Sequence, residues 1–309
     1  QTYTANFPRN ETSTPEIGKC KIHFDSRASL RKTKLIAPCT RRNNPNSQSH
    51  NKRKPSFLCG RIAAMKPIAH IHTDMPQKFG IPRNSFLAPH LRGTIIFEPE
   101  FALNSAVEGM EGFTYLWLIW EFENGTPGGT AADIANDVQT ENKRGTTEKW
   151  FPTVRPPRLG GTKRRGVFAT RSPFRPNPIG LTCVKLERIE LTANGPIIHV
   201  LGADLRDGTP IFDIKPYIPF ADCHPDAQGG FIDETPWQEL TVHCPAKLLQ
   251  AIPEEKREGL LEVLGQDPRR AGSKHEPERM YHLAYAGFDV AFTVDDTNLH
   301  VQRIAPALA

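Results

Sequence analysis

The sequence lacks the signatures of several large protein classes. Its six cysteines in 309 residues include no CxxC pair, which argues against a disulfide scaffold and a standard zinc site, so no metal is expected. No stretch approaches the roughly 18 consecutive apolar residues of a membrane-spanning helix, and the first residues show no apolar signal-peptide core. Neither a P-loop nor a GxGxxG motif after a strand is present, so a nucleotide-type cofactor would bind outside a doubly wound sheet. These absences predict a globular protein of the reducing cytoplasm.

Charge is concentrated at one end of the chain. Residues 1–64 hold 13 Lys or Arg against 3 Asp or Glu, whereas the remainder holds 26 against 31. The net charge of +5 is therefore no argument that the folded body binds nucleic acid. Because residues 1–64 are polar and lack a hydrophobic period, we expect a disordered basic extension. It is interpreted as an RNA-attracting tail, an organelle transit peptide or sequence upstream of a start at Met65; the last two are favoured because ordered-looking sequence begins there.

From Met65 onward the hydrophobic pattern predicts short strands separated by turns. The run PIFDIKPYIPF, residues 210–220, is also predicted to be an extended segment. Many short strands with few helices favour a mainly β fold, with an antiparallel sheet or barrel over residues 65–222. The strand-like segments are 66–74, 94–97, 115–122, 180–191 and 196–205.

Two further segments complete the predicted organisation. Residues 125–147 are polar and glycine-rich, and we interpret them as an insertion. In residues 236–305, helical periodicity over 248–264 is followed by strict alternation of apolar residues over 288–294. That order predicts a small α+β domain at the C-terminal end.

Residues 155–181, RPPRLGGTKRRGVFATRSPFRPNPIGL, are the densest run of arginine, proline and glycine. Proline fixes φ and glycine permits unusual backbone geometry, so the run predicts a shaped loop rather than a helix or central strand. Its arginines are expected on a surface that meets phosphate or carboxylate. Arg171, Arg175 and Asn177 are the strongest candidates, because three prolines stiffen the backbone that presents them. Taken alone, the DGTP sequence at 207–210 is an ordinary turn.

Four runs in a fixed order resemble the TrmO family of tRNA methyltransferases: FPTVRPPRLGG, GVFATRSPFRPNPIGL, DGTPIFDIKPYIPF and VLGQDPRRA. The resemblance covers about residues 66–303 and excludes 1–64 and 125–147. It implies methylation of N6 of threonylcarbamoyladenosine beside the anticodon of threonine-decoding tRNA, with S-adenosylmethionine bound by an all-β barrel in a homodimer. Neither a membrane nor DNA is an expected partner. The alternative is a non-catalytic RNA-binding or S-adenosylmethionine-sensing module of the same fold.

The resemblance also implies roles for particular residues. Glu123 and Asn124 depart from the basic or amide-bearing pair that we expect at a donor contact. In the catalytic group, the cationic residues would hold the threonyl carboxylate or stabilise charge on the carbonyl, and Asp213 and Tyr217 are candidate bases. The catalytic group is Arg175, Asn177, Asp213, Lys215 and Tyr217. The implied donor contacts are Pro82, Arg83, Asn84, Glu123, Asn124, Arg171, Leu181, Asp207, Gly208, Thr209 and Pro210.

The QDPR sequence of the C-terminal domain admits two interpretations. Arg269, Arg270 and Lys274 are plausible contacts to tRNA phosphates. Equally, residues 267–269 are consistent with a purely structural turn.

Overall fold

The computed structural model describes residues 2–5, 65–122, 152–159, 163–235, 238–269 and 276–307. Within these residues, the α-helices are α1 (Pro219–Asp222), α2 (Ala246–Leu249) and α3 (Glu254–Gly265). In the same part of the chain, no helix is long and apolar enough to cross a membrane. The strands, in chain order, are β1 (Thr2–Ala5), β2 (Ala69–Thr73), β3 (Arg92–Phe97), β4 (Tyr115–Glu121), β5 (Thr153–Val154), β6 (Arg165–Gly166), β7 (Ile179–Thr192), β8 (Gly195–Leu201), β9 (Thr209–Pro216), β10 (Thr241–Pro245), β11 (Tyr281–Tyr285), β12 (Phe288–Asp295) and β13 (Asn298–Pro306).

Six strands close into an antiparallel barrel in the order β2-β3-β8-β7-β4-β9. The barrel confirms the predicted mainly β fold. Strand β4 shows why it forms, since its side chains alternate between partly exposed positions and a fully buried inner row that includes Leu116 and Leu118. The short hairpin of β5 and β6 lies in the long connection between β4 and β7.

Inside the barrel, Gly180 makes room for Trp120. The two residues are cross-strand partners on β7 and β4. A Cβ atom at Gly180 would lie 2.2 Å from Cε2 of Trp120, far inside van der Waals contact. The indole N–H of Trp120 donates a 3.0 Å hydrogen bond to Oγ1 of Thr182, so the ring is fixed at both its face and its edge.

Substituting Gly180 with Ala is expected to destabilise the protein by about 1–3 kcal/mol, because the indole must move to admit the methyl group. Urea denaturation measures the loss. Gly166→Ala is the matched control, since a Cβ at Gly166 meets no atom within 4 Å and its φ is −57°. Equal stability of the two variants would show that the indole is loosely held.

The C-terminal part forms a second sheet in the order β1-β10-β13-β12-β11, covered by α3. The predicted helical periodicity is confirmed, since α3 buries Leu260 and Leu264. The alternation over 288–294 lies in strand β12, which turns into β13 at residues 296–297. The unit is a small α+β arrangement, as predicted.

The connection between β2 and β3 packs into this C-terminal core. Met75, Ala88 and Leu91 are buried in the same apolar cluster as α3 and β12. Gly80 lies so close to Leu283 that a Cβ atom there would be 2.3 Å from the leucine methyl Cδ1. The described residues accordingly fall within one compact unit.

Buried polar contacts hold the same junction. The Lys256 ammonium donates to Oδ1 of Asp74 at 2.6 Å, and the Tyr285 hydroxyl donates to the Lys256 carbonyl at 2.9 Å. His90 donates its backbone N–H to Glu262 at 2.8 Å, and its ring Nδ1 lies 2.6 Å from the other oxygen of that carboxylate. Burial raises the pKa of Glu262, an effect that the bonds from His90 oppose. These contacts fix the β2–β3 connection to α3.

Three local predictions need correction. Residues 2–5, expected to be disordered, form β1 against β10, whose outer edge would otherwise leave backbone groups unpaired. The strand predicted at 196–205 ends at Leu201, because Gly202 adopts a left-handed φ of 80°. The extended segment predicted to reach Phe220 ends at Pro216, and Pro219 starts helix α1 at a position that suits its fixed φ. Residues 6–64 and 125–147 lie outside the described residues.

Candidate active site at the barrel mouth

Strand direction brings three connections to one end of the barrel, here called the mouth. Strands β2, β4 and β8 finish at this end, and β3, β7 and β9 begin there, because every neighbouring pair is antiparallel. The connections are residues 74–91, the link from β4 to β7, and residues 202–208. The mouth is therefore built from segments far apart in the sequence.

Most predicted donor contacts lie at this mouth. Pro82, Arg83 and Asn84 belong to the first connection and Arg171 to the second, while the sequence from Asp207 to Pro210 closes the third. Leu181 stands near the start of β7 with its side chain on the outer face and 52% of it exposed. Glu123 and Asn124 lie outside the described residues, although β4 reaches the mouth at Glu121.

The turn before β9 is held by its own backbone. Asp207 and Gly208 donate their N–H groups to the carbonyls of Met75 and Ile71, each at 2.9 Å. The Asp207 carboxylate accepts the Thr73 N–H at 3.1 Å and lies 3.1 Å from Nδ1 of His72. Gly208 adopts a left-handed φ of 77°, with open space where a Cβ would stand. Hydrogen bonds therefore hold the backbone of this turn in place, and the space beside Gly208 is open.

The thirteen residues before β7 fold around Arg175. Its Nη1 donates to the carbonyls of Thr170 and Ser172 at 2.9 and 3.2 Å, and its guanidinium lies 6.0 Å from the centre of the Phe168 ring. The Thr170 hydroxyl adds a 2.8 Å hydrogen bond to the Val167 carbonyl. Arg175 therefore shapes the loop that presents Arg171, whose side chain is exposed. Asn177 is exposed in the same loop.

A half-buried carboxyl that the sequence pattern did not indicate lies near these segments. Asp204 Oδ1 accepts a 2.9 Å hydrogen bond from Oγ1 of Thr182, the same hydroxyl that accepts the Trp120 indole N–H. Burial raises the pKa of Asp204 to about 6, and the Thr182 bond and the Arg171 charge oppose that rise. The predicted strand over 196–205 included this residue, whereas β8 ends at Leu201 and leaves Asp204 in the connection to β9.

The remaining predicted catalytic residues follow β9 away from the mouth, on the outer face of the barrel. Asp213 and Lys215 form an exposed ion pair of 2.9 Å with each other. Tyr217 lies at the far end of β4, with its ring centre 6.0 Å from that of Tyr115. Partial burial, Cys223 and Asp222 raise the pKa of Tyr217, so its phenol stays protonated at neutral pH. Within one chain, the structure does not bring Tyr217 to the mouth.

The QDPR sequence of the C-terminal part lies near Arg83 of the first connection. Asp267 has a φ of 52°, and its carboxylate accepts two bonds from the Arg269 guanidinium, at 2.8 and 2.9 Å. Burial lowers the pKa of Arg83, and the negative charge of the Asp267 carboxylate opposes part of that shift. This pairing favours the structural interpretation of Arg269, with 13% of its side chain exposed. Arg270 and Lys274 lie outside the described residues.

One group of side chains in the described part of the chain has the spacing of metal ligands. His90, Glu258 and Glu262 place their ligand atoms within 4.8 Å of one another. Both Glu262 oxygens are already hydrogen-bonded to His90, so the geometry is explained by the junction between the barrel connection and α3.

The mouth suits a ligand that has an ammonium, a carboxylate and an aromatic ring, as S-adenosylmethionine does. Arg171 supplies a positive charge for the carboxylate of such a ligand. Leu181 offers exposed apolar surface, and the turn at Gly208 leaves open space beside backbone polar groups. The residues present therefore fit the donor that the sequence resemblance implies.

Comparison with known proteins decides the family. Residues 70–223 match the model of the tRNA-methyltransferase O N-terminal domain, and residues 238–307 match that of the TrmO C-terminal domain. The chain belongs to the TrmO family. The first of these ranges contains every residue that we predicted to contact the donor or to act in catalysis.

Individual relatives agree. The tRNA (adenine(37)-N6)-methyltransferase of Escherichia coli (strain K12) is 37% identical over 246 residues, which make up 77% of this chain and 96% of that protein. A protein of the same name from Eikenella corrodens is 47% identical over 146 residues, 47% of this chain and 82% of the relative. The crystal structure of TrmO from Pseudomonas aeruginosa superposes with a TM-score of 0.57 at 30% identity, covering 78% of this chain and 97% of that one.

Membership in the TrmO family confirms two predictions. The chain is a methyltransferase that acts on tRNA, and its methyl donor is S-adenosylmethionine. The alternative of a non-catalytic module with the same fold is therefore not adopted.

Proposed function

We propose that this TrmO protein methylates N6 of the adenine beside the anticodon of threonine tRNA, and that its substrate is N6-threonylcarbamoyladenosine. The Escherichia coli relative, named a tRNA (adenine(37)-N6)-methyltransferase, supports the adenine and the position. The observation that carries the proposal is the gathering of Arg171, Arg175 and the 207–210 turn at one mouth of the barrel. A cationic pocket is what a base with an added carboxylate requires.

The donor-binding residues would be those around the turn of β9. Arg171 would bind a carboxylate, the backbone of residues 207–210 would meet polar edges, and Leu181 would cover an apolar face. The bound donor supplies a methyl group on a positively charged sulfur. In-line methyl transfer depends on orientation, so rigid placement by the turn and the Arg175-centred loop would supply much of the rate acceleration.

Arg175 would hold the threonyl carboxylate of the substrate. Among the described residues, its hydrogen bonds use only Nη1, which leaves Nε and Nη2 as donors. A guanidinium fixed by two carbonyls loses little further freedom when it binds a carboxylate with its remaining N–H groups. Lys215 is a weaker candidate for this role, because it is paired with Asp213 on the outer face.

The hairpin of β5 and β6 would contact tRNA phosphates beside the mouth. Arg155, Lys163 and Arg164 are exposed there, and Arg164 is oriented by a 2.6 Å hydrogen bond to Oγ1 of Thr153. Arg165 packs over the Phe231 ring at 5.7 Å. Exposed cations of this kind give affinity that falls steeply with salt and that does not depend on sequence.

The test compares two forms of one tRNA. The enzyme and labelled S-adenosylmethionine are incubated with threonine tRNA that carries, or lacks, the threonylcarbamoyl group, and the labelled nucleoside is identified by mass spectrometry. We expect labelling at N6 of the modified nucleoside only. Equal labelling of both tRNAs would show that the threonylcarbamoyl group is not required in the substrate. Labelling of another base would contradict the proposed methylation site.

Two further features belong to the proposal. A homodimer is supported by the outer face of the barrel, where Ile179 and Leu181 of β7 are exposed by 43% and 52%. Light scattering across a concentration series measures the mass.

The cytoplasm is the expected compartment, because the substrate is tRNA and because Cys183, Cys223 and Cys244 are free thiols.

A further inference from the structure

Asp204 is a half-buried ionisable group at the mouth that the roles proposed above leave unused. Its carboxyl is bonded to Thr182, the neighbour of Leu181, and it precedes the 207–210 turn by three residues. The positive charge of Arg171 also acts on the Asp204 carboxyl. Asp204 therefore lies close to the start of β7, to Arg171 and to the 207–210 turn.

We propose that Asp204 is the general base that accepts the N6 proton of the adenine during methyl transfer. The inference rests on the proposed function, since it requires an adenine N6 at the mouth. Asp213 and Tyr217 are less suited to this role: the first is paired with Lys215 on the outer face, and the second lies at the far end of β4.

The proton balance of the reaction defines what the base must do. A carbon–nitrogen bond forms at N6 as the carbon–sulfur bond of the donor breaks, and the electron pair of the broken bond stays on sulfur. N6 would become cationic unless its proton left. The proton moves to a carboxylate oxygen of Asp204, which becomes a neutral acid and later releases the proton to water.

The surroundings of Asp204 suit a base that works near neutral pH. Burial raises the pKa of its carboxyl to about 6, so it is ionised at pH 7 and still binds a proton readily. Thr182 of β7 bonds to it and in turn accepts the indole N–H of Trp120 from β4, and neither side chain titrates in this range. Among the charged groups, Arg171 acts across the mouth, Arg206 and Asp207 follow on the same connection, and His72 is paired with Asp207.

Single-turnover methyl transfer between pH 5 and 9 tests the assignment. We expect the wild-type rate to rise with pH through about 6 and then to level off. Asp204→Asn should lower the plateau rate about 100-fold or more and abolish the inflection. Donor affinity, measured by calorimetry, should stay within about threefold. A variant that keeps the wild-type rate and profile, or that loses only donor affinity, would overturn the assignment.

Thermal stability gives a readout that does not depend on activity. The folded pKa of Asp204 lies above its ordinary value of 3.8, so the carboxyl favours folding when it is protonated and loses that contribution as pH rises through about 6. Asp204→Asn should therefore melt a few degrees above wild type at pH 8, and the difference should vanish near pH 4. A lower melting temperature at pH 8 would indicate a structural role and contradict the assignment.

A second pair of variants keeps the test decisive if Asp204→Asn does not fold. Thr182→Val removes the hydrogen bond that stabilises the ionised carboxyl, so the inflection of the rate should move to higher pH. Thr182→Ser keeps the hydroxyl and should keep the wild-type profile. An unchanged profile in Thr182→Val would refute the proposal. Turnover by the wild type tests the proposed function separately, so the two failures are distinguishable.

Discussion

Replacing Arg175 with Ala is expected to lower kcat/KM for methyl transfer by about 100-fold or more while the protein stays folded. The guanidinium bridges the carbonyls of Thr170 and Ser172, so its loss frees the loop that presents Arg171. It also removes the group proposed to bind the substrate carboxylate. Because Arg175 lies in this loop and contributes nothing to the barrel core, the free energy of unfolding should change little.

Two matched variants separate these effects. Arg175→Lys keeps the positive charge but cannot reproduce the planar fork that binds two carbonyls and a carboxylate at once, so it should recover only part of the activity. Arg188→Ala removes an arginine from β7 whose 3.8 Å ion pair with Glu190 is exposed, and it should behave as wild type. Steady-state kinetics at saturating donor give the comparison. Full activity of Arg175→Ala would exclude the residue from the site.

Replacing Lys256 with Met is expected to destabilise the protein by about 2–4 kcal/mol, a value reduced from that of a fully buried pair because part of the lysine is exposed. The substitution leaves the Asp74 carboxylate, 9% exposed, without its partner on α3. The second oxygen of Asp74 already has no hydrogen-bond partner among the described residues, so the uncompensated charge would have no alternative contact.

Urea denaturation of Lys256→Met beside Lys247→Met measures this loss. Lys247 is exposed on α2, so its replacement controls for the change of one lysine to methionine. Asp74 begins the connection that carries Pro82 to Asn84, and we therefore expect donor affinity to weaken with stability. If both variants unfold at the same urea concentration, the ion pair contributes nothing to the junction.

Local patterns carried enough information to predict the elements. The apolar and aromatic run of β4 and the alternating apolar residues of β12 each indicate a strand. The resemblance of the 155–181 region to TrmO then indicated the loop and turn that meet at the mouth. These elements could be predicted because hydrophobic periodicity and turn propensity depend on residues that are only a few positions apart.

Contacts between distant residues could not be predicted in this way. Lys256 is 182 positions from Asp74, and Glu262 is 172 positions from His90, so no local pattern indicates that either pair meets. Asp204 was hidden for a related reason. Its carboxyl is bonded to Thr182, 22 positions away, and no local pattern indicates that the two residues meet.

The position of the bound donor tests the central claim most directly, namely that methyl transfer takes place at the barrel mouth. A crystal structure of the enzyme with S-adenosylhomocysteine, the demethylated donor, gives that position. The account predicts density between residues 82–84, Arg171 and the 207–210 turn, with the sulfur facing Asp204. Density at the far end of the barrel, or on the C-terminal sheet away from the mouth, would contradict it.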